Sequence, residues 1–158
     1  MAFLRVNTHI LRGIAGLSAL ALCLSCGAQD RGYWYAASST AQSITSDIAL
    51  SDNTIKINLT AIPMQRVRTL APAEVSAAFD ADVNSGVKGA LYRLNVPASR
   101  HFVHHNTLCG SEDTQWMATY AIERRLQVAF FSGSEPPVFT LDALRNSTDL
   151  CGTFSYSR

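Results

Sequence analysis

Short runs in which apolar and polar residues alternate recur along most of the chain, and this period of two is the feature that leaves the fewest folds open. In "NTIKINLT", Ile55, Ile57 and Leu59 alternate with Lys56, Asn58 and Thr60. Just upstream, "SITSDIAL" sets Ile44, Ile48 and Leu50 on one face, and Ser51-Asp52-Asn53 supplies short polar side chains that bond a turning backbone. Successive strand side chains point to opposite faces, so each run buries one side, and the two runs around a polar turn read as a hairpin. The pattern returns in "LYRLNV" (Tyr92, Leu94, Val96), "TQWMATY" (Trp116, Ala118, Tyr120), "RLQVAFF" (Leu126, Val128, Phe130) and "GTFSYS" (Phe154, Tyr156). Residues 122–125 read as a turn that pairs the second and third of these antiparallel. "GYWYAASS" is aromatic and β-prone. Helical spacing appears only in "APAEVSAAF", with Pro72 early and Glu74 in the first turn, and in "TLDALRN", with Thr140 as N-cap. The expectation is a mainly β protein: a small antiparallel β-barrel or strongly curved sheet with two short helices, one plugging an end. A β-sandwich is the alternative.

The first residues read as an export leader. Arg5 and Arg12 precede the apolar stretch "GIAGLSALALCLS", and Cys26-Gly27-Ala28 ends it with small residues. This order of charge, apolar run and small-residue exit predicts a signal peptide over 1–28, with cleavage between Ala28 and Gln29. The mature chain 29–158 is then one β-rich domain, periplasmic or secreted. The alternative is a lipid-anchored outer-membrane protein, with Cys26 carrying the lipid, and that is the one route to a membrane.

Cleavage removes two of the 13 basic residues and none of the 12 acidic ones, leaving a formal charge of −1. Such a chain has no basic footprint for nucleic acid. Of four cysteines, Cys109 and Cys151 remain; neither belongs to a Cys-x-x-Cys motif, and in an oxidising compartment the pair reads as a disulfide.

Three of the four histidines lie in "RHFVHHN". If 100–105 is extended, His101 and His105 share a side and His104 takes the other. A zinc site needs three or four converging ligands, which His101 and His105 with Glu112 or Asp113 would have to supply by loop folding; the bland reading is a polar rim beside a disulfide. The run from Asp80 to Gly86 begins like a calcium loop but has Ser85 where glycine is needed and Leu91 where glutamate is needed. Ser132 lacks a nucleophile-elbow motif. Tyr33, Trp34, Tyr35, Trp116 and Tyr120 either line a ligand cup or fill a barrel interior. No catalytic set, cofactor motif or complete metal set emerges.

The stretches "WYAASSTAQSITSDI", "NTLCGSEDTQWMATY", "LQVAFFSG" and "DLCGTFSY" resemble a group of small exported bacterial β-proteins to which no activity is attached. In size and style the chain is also distantly similar to periplasmic lysozyme-inhibitor and protease-inhibitor barrels. The resemblance implies a periplasmic or secreted β-protein and carries no catalytic residues. With no complete catalytic set and a mature charge near zero, the chain reads as an exported binding module that contacts another protein or a small apolar ligand, through polar loops such as "RHFVHHN" and "SGSEPP". The alternative is a hydrolytic or metal-dependent enzyme centred on His101, His104 and His105.

Overall fold

The computed structural model describes residues 30–158; the leader read over 1–28, its cut after Ala28, and Cys26 lie outside the described residues. Eight strands follow in order: β1 Gly32–Ala36, β2 Ile48–Leu50, β3 Thr54–Ile57, β4 Thr60–Leu70, β5 Gly89–Val96, β6 Thr114–Ile122, β7 Arg125–Phe131 and β8 Leu150–Ser157. Each pairs antiparallel with the next, and β8 returns to β1 through Tyr35↔Ser157 and Ala36↔Tyr156, closing the barrel. Closure leaves no sheet edge unpaired and rules out the two-sheet alternative. Two-residue loops join β3 to β4 (Ile57↔Thr60) and β6 to β7 (Ile122↔Arg125).

Alternation along the strands sorts the side chains into two cores. Trp34, Ile48, Ile55, Ile57, Met117, Leu126, Val128, Phe130, Phe154 and Tyr156 fill the barrel interior and are almost wholly buried. The opposite faces of β5–β7 carry Leu91, Trp116, Ala118, Tyr120, Ala129 and Phe131, which form a second core outside the barrel. Helix α2 (Pro72–Phe79) covers it with Val75 and Phe79, and the segment 132–140 covers it with Phe139. Gly89 permits the close approach of α2, since a Cβ there would lie 2.6 Å from the Thr119 carbonyl oxygen and 3.0 Å from Val75.

The structure corrects several expectations. Among the described residues three α-helices form rather than two: the first two residues of "SITSDIAL" end helix α1 (Ser39–Ile44), whose start is capped by the Ser38 side chain accepting a hydrogen bond from the Ala41 amide. Ile44 still packs on the barrel core, so the apolar periodicity was satisfied by a helix end instead of a strand. The end plug is α1 with the loop before β6, which contribute Ala41, Phe102 and Leu108; α2 and α3 (Leu141–Arg145) lie on the outer wall. Leu59 does not share the buried face of Ile55 and Ile57. It occupies the β3–β4 turn, where both Asn58 and Leu59 have positive φ, as a type I′ turn requires. Trp116 and Tyr120 fill neither the interior nor a cup; they are sealed into the outer core. Strand β4, the longest, was not anticipated, because Pro63 and the shift of register between Arg66 and Arg68 interrupt its alternation.

At the barrel end where β1 begins, Asp30 is buried. Its carboxylate accepts from the Tyr92 hydroxyl and the Thr119 hydroxyl, each at 2.8 Å, and its carbonyl accepts from Trp34 Nε1 at 2.7 Å. Burial, reinforced by the Asp30 carboxylate, holds the Tyr92 hydroxyl well above its ordinary pKa, and burial does the same for Tyr156, whose oxygen lies 2.7 Å from Thr45 Oγ1.

Candidate functional site

The histidine segment is not extended. Val103–His105 form a single 3₁₀ turn in which His104 and His105 take φ of 54° and 60°. The Phe102 amide donates to the Asn106 carbonyl at 2.8 Å, and this closes the turn. Burial of Phe102 and Leu108 drives the chain inward on both sides of it, so all three histidines stand exposed on the outside. His101 Nδ1 meets the His105 carbonyl oxygen at 2.8 Å, and the two rings sit edge to face at 6.2 Å. Of the acidic candidates, Asp113 accepts from the Ala98 amide at 2.8 Å and Glu112 is exposed. Among the described residues no three His, Cys, Asp or Glu side chains come together as a ligand set. Cys109 and Cys151 form a disulfide with their Cα atoms 4.9 Å apart, tying this loop to the start of β8.

The other polar candidates have local duties. Asp82 caps a 3₁₀ turn by accepting from the Asn84 amide at 2.8 Å. Ser132 is buried and its hydroxyl reaches the Asp149 carbonyl oxygen at 3.5 Å.

The concavity with loops on both sides lies on the outer wall, where "SGSEPP" faces the α3–β8 connection. It holds about 340 Å³. Phe131 and Leu144 form its floor, Glu135, Pro136, Pro137 and Val138 one side, and Asn146 to Asp149 the other. The 132–140 arm is fastened at both ends. Trp116 Nε1 donates to the Gly133 carbonyl at 2.9 Å, Arg93 donates to the Ser134 carbonyl at 3.3 Å, and the Ser132 amide donates to the Asp149 carbonyl at 2.9 Å. Phe139 anchors its far end, edge to face with Phe131 at 5.8 Å and beneath the Arg68 guanidinium at 5.7 Å. Gly133 allows the Asp149 carboxylate to lie against the arm; a Cβ there would collide with it. The cleft is therefore preformed, with an apolar lip on which Val138 is 63% exposed. Two carboxylates, Glu135 and Asp149, stand at its margin.

"SGSEPP" reads as a loop in the sequence, and it is one, within the 132–140 arm. Its facing wall was not legible there, because 146–149 approach only through the return of β8. A second groove, on the opposite side of the barrel among Tyr33, Asp47, Ala49, Lys56 and Leu59, has no sequence signal beyond a misassigned leucine.

The class defined by these observations is a closed eight-stranded antiparallel barrel with a filled interior and an arm-bounded surface cleft. No protein-family model, curated protein or solved structure matches the chain.

Proposed function

We propose that the protein is an exported binding module whose cleft takes a short segment of another protein carrying apolar and basic side chains. The observation that carries this reading is the fastened arm, whose hydrogen bonds hold one wall of a loop-walled concavity in place. Preformed sites of this kind lose little ordering entropy on binding. Pro136, Pro137 and Val138 offer apolar contact, and Glu135 and Asp149 favour a cation beside it. Carriage of a small apolar ligand inside the barrel has no support, since Trp34, Phe130, Phe154 and their neighbours occupy that space. Export rests on the leader reading, and the disulfide is consistent with an oxidising compartment. Among the described residues no helix is long and apolar enough to cross a membrane.

The test is affinity capture with immobilised residues 29–158 from periplasmic and secreted extracts, run beside Glu135→Lys and Val138→Asp. The expected result is a protein held by the parent domain and released in both variants, with an affinity that weakens as salt rises. Equal capture by all three forms would remove the cleft from the account.

A further inference from the structure

Among the described residues, no helix or arm covers the wall formed by the outer faces of β1–β4. Strand register sets Tyr33, Ala49, Lys56 and Ala61 side by side across it. The short side chain of Ala49 leaves a groove of about 410 Å³ between Tyr33 on one side and Lys56 with Leu59 on the other. Tyr33 and Tyr35 stand edge to face at 5.1 Å and are 54% and 57% exposed. The Tyr33 hydroxyl donates to Asp47 at 2.9 Å, and the other oxygen of that carboxylate accepts from the Ala36 amide at 2.9 Å, so the platform is rigid.

Leu59 is 99% exposed at the groove's rim, with φ of 67°. A leucine in left-handed backbone is disfavoured, and complete exposure returns no burial energy. Glycine would suit the second place of this turn far better. The fold alone gives no reason for leucine here.

We propose that this wall pairs with the same wall of a second copy about a two-fold axis. Leu59 of each chain then seats in the other's groove, between Tyr33 and Lys56. A two-fold contact requires each feature and its complement on one patch, and this patch has both in two respects. The apolar knob adjoins a hole of suitable size. Lys56, which makes no ion pair or side-chain hydrogen bond among the described residues, lies in the same groove as Asp47, so rotation about the two-fold axis can set each ammonium opposite a carboxylate. Tyrosine is enriched at the centres of protein contacts, and this patch presents two. Because the barrel is closed, the pairing is through side chains and not strand edges. Four strands about 4.8 Å apart make a face only about 20 Å wide, so the contact belongs to the small, reversible class.

The test is sedimentation velocity on disulfide-bonded residues 29–158 over a range from about 1 μM to about 500 μM, with half-dimerisation on the order of 100 μM expected for a contact of this class. The expected result is a rise from monomer to dimer mass, with a tenfold or greater weakening in Leu59→Asp and no change in Val83→Asp, an exposed apolar residue on the far side of the molecule. Unfolding curves on the same samples show whether each variant is folded. A parent that stays monomeric throughout overturns the proposal. So does a dimer indifferent to Leu59→Asp, or one lost equally in folded Val83→Asp.

Discussion

The barrel has two unlike walls. On the β5–β7 side the outer face is apolar and the chain covers it with its own α2, α3 and 132–140 arm. On the β1–β4 side the outer face carries Tyr33, Ala49, Lys56 and Ala61, and none of the described residues lies over it as a helix or arm. The first wall uses its outward residues for stability: Leu91, Trp116, Tyr120 and Phe131 are as buried as residues of the interior. The second leaves Tyr33, Tyr35 and Leu59 in water. The contrast teaches that outward apolar residues on a barrel mean different things according to what covers them. Where the chain supplies the cover, truncation costs stability. Where it does not, truncation costs association.

The largest effect belongs to neither wall and serves as a reference for both. Replacing Cys109 and Cys151 together by serine opens a link spanning 42 residues. In the chain-entropy account it should lower unfolding free energy by about 4 kcal/mol, read from denaturant midpoints, with both walls unfolding in the same transition. A loss confined to the histidine loop, with the midpoint unchanged, would mean the staple is local. Next is Phe139→Ala, which removes the anchor of the arm from between Phe131 and Arg68. The expected cost is about 3 kcal/mol or more, together with loss of cleft-dependent capture.

The sequence disclosed the inner face of the barrel far better than its outer walls. Ile55, Ile57, Tyr92, Leu94, Val96, Leu126, Val128, Phe130, Phe154 and Tyr156 were all on alternating runs, and all are buried in the interior. Period two reports that one face of a strand is buried and does not say which. In β6 both faces are buried, so Trp116 and Tyr120 kept the periodicity of interior residues while belonging to the outer core. Leu59 misled for the opposite reason: it continued the rhythm of Ile55 and Ile57 past the end of the strand. The disulfide was legible because only two cysteines follow the stretch that reads as a leader. The histidines were legible as a cluster in sequence, but the buried positions of Phe102 and Leu108, which curl the loop, decide where the rings point. The cleft joins segments that only β8 brings together, and no local pattern encodes that.

High pH tests the burial of the inward tyrosines. The Tyr92 and Tyr156 hydroxyls have raised pKa values through burial, whereas an unfolded tyrosine titrates near 10. Above that value the unfolded chain releases protons that the folded chain still holds, so unfolding gains. Stability should be complete below about pH 10 and should fall as pH rises beyond it. Denaturant midpoints at about pH 8 and about pH 11 check this, with tyrosinate absorbance from the inner pair appearing only as the barrel unfolds. A flat profile would mean that the inner hydroxyls are already open to solvent. A smaller effect of opposite sign is expected on the bare wall. Leu59→Gly relieves left-handed strain and should stabilise the monomer by about 0.5–1 kcal/mol, measured by thermal unfolding at low protein concentration.

The most direct test sets the walls against each other in a single experiment: denaturant unfolding of Leu59→Asp and Phe139→Ala beside the parent, at about 1 μM, where association does not contribute to stability. The account predicts that Leu59→Asp stays within about 0.5 kcal/mol of the parent while Phe139→Ala loses about 3 kcal/mol. Destabilisation of Leu59→Asp by as much as Phe139→Ala would contradict it, because the bare wall would then be part of what holds the barrel together.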